Sequence, residues 1–330
     1  MRNRYYQGPT SDHFDGERFF NPQHPTTDRS LAALLRWRFG GTRATWPETA
    51  PGKQVVPDAR VSGLRITMVG HASVLIQTAG LNLLVDPVWS DRASPLSWAG
   101  PRRANPPGIV FEDLPPIDAV LLTHNHYDHL DLATLKRLYA DHRPRLIAPL
   151  GNARIVERSL PQTSVEEFDW WQSTGLNDDV TVSLCPANHW SARGIGDRRM
   201  ALWCGFFIRS SSGSVYVAGD TGYGDGHIFR DIRQHFGAPD IALLPIGAYD
   251  PRWFMKDQHV DPAEAVQIML DCGAPEALGL HWGTFALTDE PWSEPKEDLA
   301  AALQQHGLPV SAFTALEPGD VWTRSVGVIR

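Results

Sequence analysis

Val120-Leu-Leu-Thr-His124-Asn-His126-Tyr-Asp128-His129-Leu-Asp131 is the stretch on which the reading of this chain turns. An apolar, β-branched run ends at Thr123, so the histidines sit on the loop that leaves a strand. A helix is expected after Asp131, because Leu132, Leu135 and Leu138 fall on one helical face and the aspartate before them can cap it. Such a turn aims His124 and His126 at one point and Asp128 and His129 at a neighbouring one. Imidazole and carboxylate are the ligands that suit Zn²⁺. With 13 histidines in 330 residues, H-x-H-x-D-H arises by chance in roughly one such chain in a thousand. Three solvated loop histidines are a poor account of it.

The same local pattern recurs on either side. His189 follows the apolar run 180–185, Asp220 follows 214–218, and His281 follows 277–280. A single aspartate or histidine past a strand has ordinary explanations, a closed turn or a satisfied polar group. The repetition of strand and then ligand is what gathers the three into one set with the cluster. Further strands are expected at 64–69, 73–78, 81–85, 119–123, 145–148, 201–208 and 241–245, enough for two sheets. Asp261-Pro262-Ala263-Glu264, with Gly273 beyond, carries N-cap, N1, N3 and C-terminal signals of a helix. A third helix is expected at 294–305.

Composition sets the outer bounds. Hydrophobic residues make up 42% and charged ones 21%, which describes a folded chain with a large core. No apolar run is long enough to span a membrane, and the first residues lead into no signal-like apolar segment. A net charge of −8 argues against nucleic-acid binding. Three cysteines without a C-x-x-C pair point to a reducing cytoplasm. Residues 1–60 read as an N-terminal extension on or near the mouth of a site built by a single domain at 61–330. The extension contains a short basic, Trp-bearing helix at 31–39. It either packs on the core or lies on a lipid surface.

His124-x-His126-x-Asp128-His129 with His189, Asp220 and His281 resembles the dinuclear metal site of the metallo-β-lactamase superfamily. Within it, Gly70-His71-Ala72-Ser73, Val85-Asp86-Pro87-Val88-Trp89, Gly219-Asp220-Thr221-Gly222-Tyr223, the 245–255 stretch and His281-Trp282-Gly283-Thr284 resemble the phospholipases D that hydrolyse N-acylphosphatidylethanolamine. The resemblance implies an α+β fold, a four-layer αββα sandwich with the metals at one edge between two sheets. It implies two Zn²⁺, with other divalent metals admissible. His124, His126 and His189 would hold the first, Asp128, His129 and His281 the second, and Asp220 both. Asp86 matches an aspartate that supports the ligand loop from behind. Histidine at 126, where di-iron relatives have glutamate, favours zinc hydrolysis over redox chemistry.

Two metals about 3.5–4 Å apart can activate a water held between them and steady an in-line displacement. They outweigh the charge of Asp128, Asp220 and a shared hydroxide, so a positive centre in an acidic chain suits an anionic phosphodiester. The expected reaction is phospholipase D-type hydrolysis of N-acylphosphatidylethanolamine-like phospholipids to N-acylethanolamine and phosphatidic acid. A sugar-phosphate lactonase or another zinc hydrolase on the scaffold is the second reading, and a di-iron redox or metal-binding module the third. Asp128 and His259 are the expected catalytic groups. His259 stands before the Asp261 cap, where the positive helix end disfavours its protonation, and its other role is to help cap that helix. His71 either lines the site or packs in its turn. Trp190, Tyr249, Trp253, Phe254 and Trp282 either wall an acyl-binding mouth or pack in the core. The expected partners are thus a phospholipid or other phosphodiester and peripherally a membrane surface, without nucleic acid. A homodimer is compatible with the resemblance.

Overall fold

The computed structural model describes residues 2–41 and 43–324. Strands β1 (Leu64–Gly70), β2 (Ser73–Thr78), β3 (Leu81–Val85), β4 (Ala119–Leu121), β5 (Arg145–Pro149) and β6 (Val165–Phe168) come first. β7 (Ser173–Gly175), β8 (Thr181–Cys185), β9 (Gly205–Ser210), β10 (Gly213–Val217), β11 (Ile241–Pro245), β12 (Ala277–Leu280), β13 (Phe313–Ala315) and β14 (Val321–Thr323) follow. They form two mixed sheets, ordered β14-β1-β2-β3-β4-β5-β6 and β13-β12-β11-β10-β9-β8-β7.

Period-two alternation builds the layers. Ile66, Met68, Val74, Ile76, Leu83, Val85 and Leu121 face Leu184, Phe206, Ile208, Val215, Val217 and Leu243 between the sheets. The alternate residues Leu75, Leu84, Val120 and Leu146 face outward onto helices α2 (Leu132–Asp141) and α3 (Ala153–Ser159). On the other sheet Phe207, Tyr216, Ala242 and Leu244 meet α4 (His227–Phe236), α6 (Pro262–Cys272) and α7 (Glu294–Gln305). The result is the expected αββα sandwich. Helix α1 (Leu31–Gly40) and the short α5 (Arg252–Met255) lie elsewhere on the chain. Among the described residues no helix is long and apolar enough to cross a membrane.

Direction decides where the chemistry gathers. β3, β4 and β5 pair in parallel, as do β10, β11 and β12, and β8 runs with β10 because β9 is antiparallel to both. Their C-terminal ends therefore open on one edge of the sandwich. Two hydrogen bonds bind the sheets there, from His281 N to the His71 carbonyl (2.8 Å) and from Cys204 N to the Thr123 carbonyl (2.9 Å).

Most expected strands have their observed counterparts, with differences at the ends. The 201–208 run becomes strand only from Gly205, which packs so tightly on β10 that a Cβ there would lie 2.6 Å from the Val217 carbonyl. β6, β7, β13 and β14 are not among the expected strands; they are short and form the four sheet edges. Helix α4 is not among the expected helices: Gly226, with φ 76°, precedes it and offers no capping side chain. Residues 3–29 run as a strap over the body and insert Phe14 and Phe19 between the sheets. His13 is buried between Asp12 (2.6 Å) and Asp169 (2.8 Å).

Candidate metal centre and cavity

Each strand end delivers its side chain by a local device. Gly219, with φ 64°, turns the chain sharply after β10, and a Cβ there would meet the Cys204 carbonyl at 2.9 Å, so Asp220 projects inward. His281, His71 and Asp86 all adopt positive φ, at 62°, 56° and 40°. Non-glycine residues held in that region are strained, and such strain concentrates at functional sites. Asp86 organises the histidine loop. Its carboxylate accepts from Thr123 N (2.7 Å), Thr123 Oγ1 (2.5 Å) and His129 Nδ1 (2.8 Å).

The seven residues expected to hold metal come together, joined by His71, in two donor sets. His124, His126, His189 and Asp220 present one set, and His71, Asp128, His129 and His281 another, the atoms in each lying within 4.8 Å of one another. Asp220 joins them: its oxygens lie 3.1 Å from His129 Nε2, 3.2 Å from His281 Nε2 and 3.7 Å from both His124 Nε2 and His189 Nε2. Asp128 Oδ2 is 2.9 Å from His71 Nε2 and 3.2 Å from His281 Nε2. His71 thus lies inside the site and not merely in its turn.

The donor chemistry fits a cation. His189 Nδ1 donates to the Gln258 carbonyl (2.9 Å) and His129 Nδ1 to Asp86, so each turns the Nε2 lone pair toward Asp220. Lone pairs and carboxylate oxygens facing one another away from water repel unless positive charge lies between them. Nε2 of His126, Nε2 of His129 and Oδ1 of Asp220 are buried without hydrogen-bond partners. Burial lowers the pKa of His129 and His281, but Asp220 and Asp128 outweigh it and raise both, His281 to about 9. Where no cation sits, a proton therefore takes its place on these rings, and the Nε2 lone pair is free only when a metal displaces it. Burial dominates at His126, His189 and His259 and pushes each down to about 3.

Above this cluster is a cavity of about 610 Å³. His126, Asp128, Asp220 and His259 form its floor, and Leu34, Trp37, Phe254, Met255 and Leu287 give an apolar wall. Trp190 lines it too, its ring 4.3 Å from that of His126. His259 stands 5.2 Å from His189 and 5.4 Å from His281, ring centre to ring centre, and its Nδ1 has no partner.

Three of the expected aromatic wall residues lie elsewhere. Trp282 follows His281, so the inward histidine sends the indole outward, where it packs on Trp292. Tyr249 is buried and donates to Asp298 Oδ2 (2.8 Å), because Ala248, at φ 62°, reverses the backbone ahead of it. Trp253 lies outside the cavity lining, 45% exposed beneath Arg36 of α1. The sequence reading passed over the opposite wall, formed by Arg18, Arg29, Arg198 and Arg199 with Asp28. The adjacent pair Arg198-Arg199, nine and ten residues past His189, is its local signal.

The chain belongs to the metallo-β-lactamase superfamily: the family model described as a beta-lactamase superfamily domain matches residues 81–282. Among curated relatives, the N-acyl-phosphatidylethanolamine-hydrolyzing phospholipase D 1 of Caenorhabditis elegans is 36% identical over 275 residues, 80% of this chain and 77% of that one. An uncharacterized protein of Mycobacterium tuberculosis is 37% identical over 293 residues, 87% of this chain and 77% of its own. Among solved structures, the isothiocyanate hydrolase from Delia radicum gut bacteria superposes with a TM-score of 0.64 at 20% identity, covering 79% of this chain and 100% of that one. This last likeness is one of fold.

Proposed function

We propose that this metallo-β-lactamase superfamily hydrolase is a dinuclear zinc phosphodiesterase of the phospholipase D type. Its substrates in this reading are N-acylphosphatidylethanolamine-like phospholipids, split into N-acylethanolamine and phosphatidic acid. The observation that carries the reading is the meeting of two donor sets on Asp220, at the floor of a cavity walled partly by arginine and partly by apolar side chains. The name of the nematode relative supports the same substrate class.

His124, His126 and His189 would hold one zinc, Asp128, His129 and His281 the other, and Asp220 both. Zinc held there would lower the pKa of water toward neutrality and offset phosphoryl charge. Asp86, through His129, and the Gln258 carbonyl, through His189, keep the imidazoles oriented. His71 steadies Asp128 from the far side. His259, neutral because it is buried, would accept a proton from the attacking water or donate a hydrogen bond to the phosphoryl group. Trp190 and Phe254 receive the apolar part of the substrate while the phosphate lies on the floor.

Peripheral membrane contact belongs to the same proposal. Helix α1 holds Leu34 and Trp37 over the cavity and turns Leu31 (71% exposed), Leu35 (47%) and Phe39 (81%) to solvent. Their four-residue spacing makes one apolar stripe, with Arg36 and Arg38 beside it, a pattern suited to a lipid surface.

Metal analysis combined with an assay on bis(p-nitrophenyl) phosphate, a lactone and vesicles of N-acylphosphatidylethanolamine tests the reading. The expected result is two zinc ions per chain and phosphodiester cleavage. A zinc-loaded protein that opens lactones and cleaves no phosphodiester overturns it.

A further inference from the structure

We infer that the cavity carries a second anion-binding subsite, built by Arg18, Arg198 and Arg199 around Asp28. It would take an acidic group that the substrate bears beyond its scissile phosphate. This rests on the phosphodiesterase reading and extends its substrates to phospholipids with an acidic head group, such as an N-acylated serine.

The charges at this wall do not balance. Asp28 Oδ1 accepts from Arg198 Nε (2.7 Å) and Arg199 Nε (3.2 Å), and its Oδ2 from Arg199 Nη2 (2.8 Å). One carboxylate is thereby shared by two guanidinium groups. A third, Arg18, donates from Nη1 to the backbone carbonyl of Arg198, and its nearest carboxylate is Glu17 at 3.7 Å. Arg29 differs, because it is tied to Asp257 (2.7 Å) and to the Phe254 carbonyl (3.0 Å). A local positive excess in a chain of net charge −8 is not a by-product of overall composition.

Its position matters as much as its sign. The Arg198 guanidinium lies 3.4 Å over the centre of the Trp190 ring, and that ring packs on His126 at 4.3 Å. The excess charge therefore stands one indole ring away from the floor where the scissile phosphate would sit. A serine head group carries its carboxylate only a few bonds from the phosphate ester, a comparable reach. Arg198 Nη2 and Arg199 Nη1 also donate to the Thr27 and Phe19 carbonyls (2.6 and 2.9 Å), so these groups would draw an anion mainly by their charge. A neutral N-acylethanolamine head group has nothing to offer them.

The test compares two soluble ligands that differ by one carboxylate. They are phosphonate analogues, not hydrolysable at the scissile position, of N-acetylated glycerophosphoserine and N-acetylated glycerophosphoethanolamine. Binding to the zinc-loaded protein is measured by calorimetry without a bilayer. The serine analogue should bind about ten-fold more tightly, the scale of one charge-assisted contact. Arg198→Gln should abolish that preference, and Asp28→Asn should widen it by releasing the shared guanidinium groups. Opposite responses of the two variants are something that structural damage alone does not produce. Equal affinities in the unmodified protein overturn the subsite, as does a preference that Arg198→Gln leaves intact. A preference seen only on vesicles also overturns it, and assigns these arginines to neighbouring acidic lipids. Turnover of the matching phosphodiesters is read separately. Preference without turnover sinks the phosphodiesterase reading alone, and turnover without preference sinks the subsite alone.

Discussion

Asp220 and His259 both face the cavity floor, yet their surroundings predict different consequences of mutation. Asp220 approaches four imidazoles and links the two donor sets, so Asp220→Asn keeps the shape while removing the charge that a cation pair needs. Metal content and turnover should fall together, which elemental analysis alongside kinetics would detect. His259 lines the same space outside the two four-residue sets, with a ring nitrogen within 4.8 Å of ligand atoms of Asp220 and His281. His259→Ala should lower turnover by about 10²–10⁴-fold, the range for a lost proton-transfer group, with metal content retained. Loss of metal in that variant would recast His259 as a ligand.

At the level of elements, the strap and helix α1 have separable roles. Phe14 and Phe19 of the strap are buried between the sheets, and losing either aromatic ring would cost about 3–5 kcal/mol. The strap is thus part of the core. Helix α1 contributes no buried residue and is capped by Ser30, whose hydroxyl accepts from Ala33 N. Its outward stripe can therefore be changed without unfolding the body. Replacing Leu31, Leu35 and Phe39 together by serine should reduce hydrolysis of vesicle substrate several-fold and leave a short soluble diester unaffected. Equal losses on both substrates would remove the membrane role from α1. Glu290 shows a quieter element-level function, since its carboxylate accepts from Ala248 N (2.6 Å) and Thr288 Oγ1 (2.8 Å) and so pins two cavity-lining residues together.

For the whole molecule, the strap is fastened through His13 to Asp169, in the connection between β6 of one sheet and β7 of the other. Burial lowers its pKa, but Asp169 and Asp12 outweigh burial and raise it above 6.5. A raised value means that the folded state holds the proton more tightly than the unfolded chain. The resulting stabilisation is complete below about pH 6.5 and is lost as pH rises through the folded-state value. His13→Gln should therefore lower Tm most at pH 6 and progressively less toward pH 9. A Tm difference independent of pH would show that His13 carries no proton between its two carboxylates.

The αββα architecture and the donor set are legible in the chain because both are local patterns. Alternation marks strands such as β2 and β3, and each donor stands within a few residues of a strand's end, where direction alone delivers it to one edge. The helix at Asp261-Pro262-Ala263-Glu264 is legible for a similar reason, since its capping box uses side chains three residues apart. Side-chain direction at the rim is not local in this way. His281 and Ala248 take positive φ, and that reversal, invisible in residue order, sends Trp282 and Tyr249 into packing instead of the cavity. Nor does residue order bring Asp28 to Arg198 and Arg199, which lie 170 and 171 positions away. That arginine wall exists because Phe14 and Phe19 bury themselves between the sheets and carry the strap to the mouth. Burial of two distant aromatic rings, and no motif, brings Asp28 to the arginines beside the donor cluster.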